Sequence, residues 1–338
     1  MITGRSSRFS WIALLACVAW GLPACAEVDF PAPPTQGNQP NLPDDPWANP
    51  SASPAQLAHR LVLDDTHVYW STLGGRTVRR ATRDGGPAET VVMGAASMVP
   101  DGLAVDATRV YYGSTFDATL ESAPKDGGAG TMLLSDHAGG GMFAVAVDDT
   151  HVFAAVHTQS LIRRIPKDGG AAEDLSDAGH YATSITLDDA YVYWATSGIE
   201  VMPMSGGTIA RVPKGGGETE ILAADLDLRP FLAVDEAYVY WVSMDTCRVQ
   251  RVPKAGGTPV TLAQSPEQGH CAAIGVDGTH VFWASALDTG AAPAGIWKAP
   301  KEGGAPIQTA SQLGVYGLAL DDVYVYFSSE DSFRRVPK

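Results

Sequence analysis

One unit recurs seven times along the 338-residue chain, at intervals of 40–47 residues, and each copy holds short alternating apolar runs closed by Asp- and Gly-rich turns. The 36 Gly and 23 Pro residues weaken helix interiors and supply turns. Together these observations predict an all-β fold, a seven-bladed β-propeller of four-stranded antiparallel blades.

The composition is compatible with that expectation. Hydrophobic residues make up 45% of the chain, enough to bury a core. The net charge of −15 argues against a nucleic-acid partner, because phosphate backbones are neutralised by cationic side chains. The acidic residues are scattered along the chain, as expected of a solvated, self-repelling surface.

The first element is a targeting segment. Arg5 and Arg8 precede an apolar run from Trp11 to Trp20, too short for the roughly 20 residues of a membrane span but matched to a signal-peptide core. The following Leu22-Pro23-Ala24-Cys25 resembles the lipobox of bacterial lipoproteins, although Pro23 is an unusual occupant. The resemblance implies cleavage after residue 24 and a lipid on Cys25, anchoring the chain to a membrane of the cell envelope, with the outer membrane as one destination.

Residues 25–55 form the second element. Pro31, Pro33, Pro34, Pro40, Pro43, Pro46, Pro50 and Pro54 prevent helix and central-strand formation, so this stretch reads as an extended tether. The propeller is assigned to 56–338.

Within that domain one landmark is RLVLDDTHVYW (60–70), GLAVDATRVYY (102–112), AVAVDDTHVFA (144–154), SITLDDAYVYW (184–194), FLAVDEAYVYW (231–241), AIGVDGTHVFW (273–283) and GLALDDVYVYF (317–327). Its anchoring carboxylates are Asp64, Asp106, Asp148, Asp188, Asp235, Asp277 and Asp321. A second landmark follows some 20 residues later: TRDGG (82–86), PKDGG (124–128 and 166–170), PKGGG (213–217), PKAGG (253–257) and PKEGG (300–304), with Pro337-Lys338 in the last copy. Strand A precedes the Asp and alternates large and small residues, as in Leu232-Ala233-Val234, so one sheet face is bulky and the other small. Strand B is β-branched and aromatic, as in Val239-Tyr240-Trp241. Strand C ends at the Pro-Lys, the Gly-Gly supplies positive φ for the next turn, and strand D follows, as in Thr261-Leu262-Ala263. The seventh copy lacks strand D, and the stretch Ser53–His59 is expected to supply that outermost strand.

These copies resemble YWTD- and NHL-type propeller repeats, with Tyr-Trp in strand B. Ser71, Ala195, Val242 and Ala284 stand where the YWTD pattern has Thr, and seven copies exceed the six blades of that family. The resemblance supports architecture; propellers host many activities.

In such a blade the A–B and C–D turns share one face, here short and uniform. The B–C and D–A loops share the other, which varies in length and chemistry as functional loops do. His67, His151 and His280 lie in A–B turns where other copies carry Tyr or Arg109, so they read as turn residues. The seven Asp read as hairpin anchors accepting backbone hydrogen bonds. Counting five residues back from each Asp places His59, Asp101, Phe143, Thr183, Pro230, Ala272 and Tyr316 at the channel mouth. The expected ligand-binding face comprises His59, Asp101, His180, Tyr181, Met202, Met204, Arg229, Phe231, His270 and Tyr316, types suited to partner contact.

No Walker loop, HExxH, GxSxG or zinc-type Cys spacing occurs, so no catalytic residue, metal or cofactor is assigned. Cys247 and Cys271 fall in neighbouring loops of the variable face and are expected to form a disulfide in an oxidising compartment. The functional expectation is a monomeric, membrane-tethered, non-catalytic binding or scaffold module for a protein or glycan partner in the cell envelope. The alternatives are a propeller enzyme of the lyase or lactonase kind, using the His59–Asp101 side of the channel, and a purely structural envelope protein.

Overall fold

The computed structural model describes residues 58–72, 76–94, 100–114, 118–135, 141–156, 159–177, 182–197, 206–226, 230–265, 270–286, 294–312, 314–329 and 333–338, with only the backbone of His59, Pro100, Met142 and Phe143. Among these residues the strands build seven antiparallel sheets, each with its strands in chain order. Blade 1 runs Ala58–Leu63, His67–Thr72, Thr77–Thr82 and Glu89–Met93. The innermost strands of blades 2 to 7 are Pro100–Val105, Met142–Val147, Ala182–Leu187, Pro230–Val234, Cys271–Val276 and Gly317–Leu320. Each packs against the next, and Gly317–Leu320 packs against Ala58–Leu63, so the ring of seven blades is closed.

Blade 7 has three strands among the described residues, Gly317–Leu320, Tyr324–Ser328 and Phe333–Pro337. Part of the stretch expected to complete it lies elsewhere: Ala58 and His59 belong to the inner strand of blade 1, where Ala58 pairs with Thr72. Residues 53–57 lie outside the described residues.

The core is divided into seven clusters, one in each gap between blades. Tyr193 and Ile209 of blade 4 meet Leu232, Val239 and Trp241 of blade 5. Tyr240 and Val249 of blade 5 meet Ile274, Val281 and Trp283 of blade 6. At the closure Tyr326 of blade 7 meets Leu61, Val68 and Trp70 of blade 1. Trp70 also stacks on Phe333, with ring centroids 5.2 Å apart. The large-small alternation in strand A sets this spacing. Ala233 and Ala319 sit where the next blade's Trp283 and Trp70 come in. At the equivalent Gly275 an added Cβ would lie 2.8 Å from Leu320 Cδ1, a clash in a close-packed interior.

The seven anchoring Asp do more than hold hairpins. Asp64 Oδ1 accepts the backbone N–H groups of Thr66 and His67 at 2.8 and 2.7 Å, the turn role expected of it. Its Oδ2 accepts the Tyr69 hydroxyl at 2.9 Å and Lys125 Nζ, from blade 2, at 2.6 Å. The pattern repeats around the ring: Asp106–Lys167 at 2.7 Å, Asp148–Lys214 at 3.2 Å, Asp188–Lys254 at 2.6 Å, Asp235–Lys301, and Asp277–Lys338 at 3.0 Å. Asp321 of blade 7 closes the circle onto Arg83 of blade 1, the one copy with Arg in place of Lys. Each aspartate therefore ties its own A–B turn to the C–D turn of the following blade.

No partner in these seven pairs is more than 25% exposed, which separates them from the nearly worthless fully solvated pairs. Where strand B carries Tyr, its hydroxyl orients Oδ2, as in Tyr111–Asp106 at 2.7 Å and Tyr240–Asp235 at 2.8 Å. Blades 3 and 6 carry Phe153 and Phe282 at that position, and theirs are the two longest lysine contacts, 3.2 and 3.0 Å.

Partial burial pushes these carboxyls up, but the cationic partner and the turn N–H groups outweigh it and hold Asp188, Asp277 and Asp321 at about 2. Asp64 and Asp106 are held lower still. Because these values lie below the unfolded ~3.9, protons bind the unfolded chain preferentially. The ring's contribution is expected to be complete above about pH 5 and to fall away as the pH drops through about 4 towards 2. Thermal melts from pH 7 to 2 check this, and a melting temperature flat across that range would remove the ring from the stabilising terms. Supplying the missing hydroxyl by Phe153→Tyr or Phe282→Tyr is expected to add about 0.5–1.5 kcal/mol each, read by urea titration; a loss of stability instead would mean the hydroxyl does not reach the carboxylate.

Candidate functional site

The seven inner strands enclose a channel of about 460 Å³, within the size range of ligand pockets, about 300–1,000 Å³. Its wall is mostly aliphatic and small: Leu61, Leu63, Ala104, Val145, Ile185, Leu232 and Leu318 are among the lining residues. Apart from Thr186, the polar and aromatic side chains on it gather near the start of the strands, as Arg60, Thr183, Ser184, Phe231 and Tyr316.

Three residues from the five-back count, Thr183, Ala272 and Tyr316, line the channel. In two other blades the lining shifts by one residue, to Gly102 in place of Asp101 and Phe231 in place of Pro230; in blades 1 and 3 it includes Arg60 and Ala144, and the side chains of His59 and Phe143 lie outside the described residues. Pairing breaks register near the start of four inner strands, at Ala58/Leu61, Pro100/Gly102, Ala182/Ser184 and Cys271/Ala273. Such bulges insert a residue and re-aim the side chains beside them, but they do not sort with the shift: blades 4 and 6 have one and keep the five-back residue, while blade 5 pairs in register from Pro230 to Val234 and presents Phe231.

Of the expected His59–Asp101 pair, the His59 side chain lies outside the described residues, and Asp101 forms an ion pair with the neighbouring Arg60. Arg60 Nε donates to the Asp101 carbonyl at 3.0 Å and lies 3.4 Å from its carboxylate. The Asp101 side chain is 11% exposed and that of Arg60 25%, so the cation faces the channel while the anion is set behind it. The Arg60 guanidinium also lies over the Phe231 ring, 5.7 Å from its centroid. Arg60 belongs to blade 1 and Phe231 to blade 5, three blades away in one direction and four in the other, so the side chain reaches across the axis.

Cys247 and Cys271 are joined, with Cα atoms 5.4 Å apart and both residues fully buried. Cys247 precedes the third strand of blade 5 and Cys271 opens the inner strand of blade 6, so the bond staples adjacent blades at their variable-loop ends. His270 beside it is exposed. Of the other residues expected on the ligand-binding face, His180, Tyr181, Met202, Met204 and Arg229 lie outside the described residues, as does Cys25.

His67, His151 and His280 each place Nδ1 2.7 Å from the hydroxyl of the preceding Thr in the A–B turn. Among the described residues no three His, Cys, Asp or Glu side chains converge as a metal site would require.

Two features escaped the sequence reading. The cations of the second landmark had a visible signal, since a Lys or Arg occurs once per copy in step with the Asp. Arg60 had a subtler one: it is the only charged residue at its place in the repeat, where the other copies carry Gly102, Ala144, Ser184, Phe231, Ala273 and Gly317.

No protein-family model and no curated protein matches the sequence. Solved structures do share the architecture. A streptogramin B lyase aligns with TM-score 0.69 at 14% identity, covering 87% of this chain and 96% of that one. The WD40 propeller domain of Doa1 aligns with TM-score 0.65 at 15% identity, covering 85% and 94%. A nidogen/laminin complex aligns with TM-score 0.55 at 20% identity, covering 69% and 88%. At these identities the likeness is one of fold.

The inter-blade disulfide closes a segment of 24 residues, worth roughly 3 kcal/mol in the chain-entropy account. Reduction, or Cys247→Ser with Cys271→Ser, is expected to lower the melting temperature by several degrees while the far-ultraviolet β-sheet signal persists at 25 °C. An unchanged melt would show that the staple adds nothing to the blade 5–blade 6 interface.

Proposed function

We propose that the chain is a lipid-tethered, non-catalytic propeller of the cell envelope that presents its variable face to a protein or glycan partner. The observation that carries this reading is the contrast between the two ends of the blades. At one end, seven near-identical turns spend their charged groups on one another. At the other, the loops differ from copy to copy, and the channel opening has a cation, an aromatic ring and hydroxyl groups. That is the composition of a recognition surface on a rigid scaffold.

Supporting arguments come from the termini and the sulfur chemistry. The Arg-flanked apolar run and the lipobox-like Leu22–Cys25 favour export and acylation. A disulfide between buried cysteines suits an oxidising compartment. Among the structural relatives, nidogen is in complex with laminin, an instance of this architecture found with a protein partner. The enzymatic reading draws on the streptogramin B lyase likeness, and its expected acid, Asp101, is held beside Arg60.

The test uses intact cells. Photo-crosslinking side chains placed at Tyr181 and Met202 on the variable loops are expected to give a discrete adduct, whereas the same groups at Asp84 and Asp168 of the uniform turns give none. Cys25→Ser is expected to abolish labelling by radioactive palmitate and to release the protein from the membrane fraction. Adducts from the uniform turns alone would reverse the assignment of faces. A stoichiometric divalent ion in the purified protein would favour the enzyme.

A further inference from the structure

The geometry points to the channel end bearing Arg60 as a carboxylate-binding subsite, which takes a planar anion attached to a flat apolar group. This deepens the binding reading above and rests on its choice of face.

Four observations converge on it. Arg60 uses Nε for Asp101, while its two terminal nitrogens make no hydrogen bond among the described residues. A guanidinium with that edge open presents two parallel N–H donors, the fork that matches a carboxylate. The cation reaches across the axis to Phe231, so a ligand held by the fork lies beside an aromatic face, with Tyr316 and Thr183 also on the wall. Behind them is an aliphatic channel of about 460 Å³, enough for the apolar part of a small acid or one side chain.

The charge argument selects among anions. Asp101 already offsets part of the guanidinium charge, so a monovalent planar anion is favoured over a divalent phosphate, which would meet stronger repulsion from that carboxylate. Sequence position adds an independent reason. The charges that recur through the blades have partners of their own, the Asp in the inter-blade ring and the strand C arginines on nearby carboxylates, as in Arg80–Glu89, Arg211–Glu220 and Arg251–Glu302, whereas Arg60 is unique at its place in the repeat.

Titration calorimetry of the full chain in detergent tests the proposal, with benzoate as the probe, benzamide as its neutral isostere and inorganic phosphate as the competing anion. Saturable one-to-one binding of benzoate is expected, at least tenfold weaker for benzamide and for phosphate. Arg60→Gln is expected to weaken benzoate at least tenfold, with Arg60→Lys in between because a point charge replaces the fork. Should Arg60→Gln fail to fold, Phe231→Leu and the benzoate–benzamide comparison on the unaltered chain carry the decision. Absence of saturable benzoate binding, equal binding of benzamide, or tighter binding of phosphate overturns the proposal.

Acetylglycyl-phenylalanine with a free or an amidated terminus distinguishes the source of the carboxylate. Tighter binding of the free-acid peptide than of benzoate assigns it to a peptide terminus, and the reverse order assigns it to a small free acid. Loop crosslinks that form equally in Arg60→Gln cells while benzoate does not bind would remove the subsite and leave the partner reading standing. Benzoate binding without loop crosslinks would do the opposite.

Discussion

A blade of this chain has two apolar faces and no means of covering either by itself. Leu103, Val110 and Tyr112 point towards blade 1 while Ala104 and Tyr111 point towards blade 3, so every sheet needs a neighbour on both sides. Seven sheets meet that demand by closing a circle, and the division of the core into seven inter-blade clusters is its direct expression. The strand A alternation, the buried tryptophans of strand B and the small residues that receive them all follow from it.

Apolar packing between twisted sheets sets distance well and register less well, because one aliphatic surface slides on another at little cost. The ring of Asp–Lys pairs supplies the register. Each carboxylate takes two N–H groups from its own turn and a cation from the next blade, and in five blades a tyrosine hydroxyl as well. Four or five donors around one partly buried anion repay its desolvation. Because donor and acceptor sit on different blades, loss of one residue weakens an interface and not merely a hairpin. The substitution of Arg83 for Lys at the closure fits this logic, since the guanidinium also reaches the Asp65 carbonyl at 3.1 Å and ties both turns of blade 1 to blade 7.

The architecture was legible in the sequence because it is periodic. A pattern stated seven times is read seven times, and errors in one copy are corrected by the others. Blade number, strand order, the Gly-Gly turns and the pairing of Cys247 with Cys271 all depend on landmarks with fixed spacing. What could not be read is what spacing does not encode. The bulges at the start of the inner strands leave no compositional mark, and which residue of a strand reaches the channel depends on local backbone geometry, as with Gly102 in place of Asp101 and Phe231 in place of Pro230. The inter-blade partner of each Asp was hidden for a different reason. Hairpin anchoring already accounted for a carboxylate at that position, so nothing in the pattern demanded a second role.

Repetition also sorts structural charge from functional charge. A group present in every blade answers a requirement that every blade has, such as holding a turn or gripping its neighbour. A group present once, at a place where the other copies carry Gly, Ala, Ser or Phe, answers a requirement of the assembly as a whole. In a ring that place is the axis, the one region all blades share and none owns. Arg60 has this status. Its backbone N–H is held by Ser71 Oγ at 3.2 Å, Asp101 steadies its Nε, and its guanidinium crosses to the opposite side of the channel. A long cationic side chain loses considerable rotamer freedom when it is held across a cavity, and the fold of the seven blades does not call for it. The two terminal nitrogens left open over an aromatic ring are therefore the part of this surface that packing and the ion-pair ring leave unexplained.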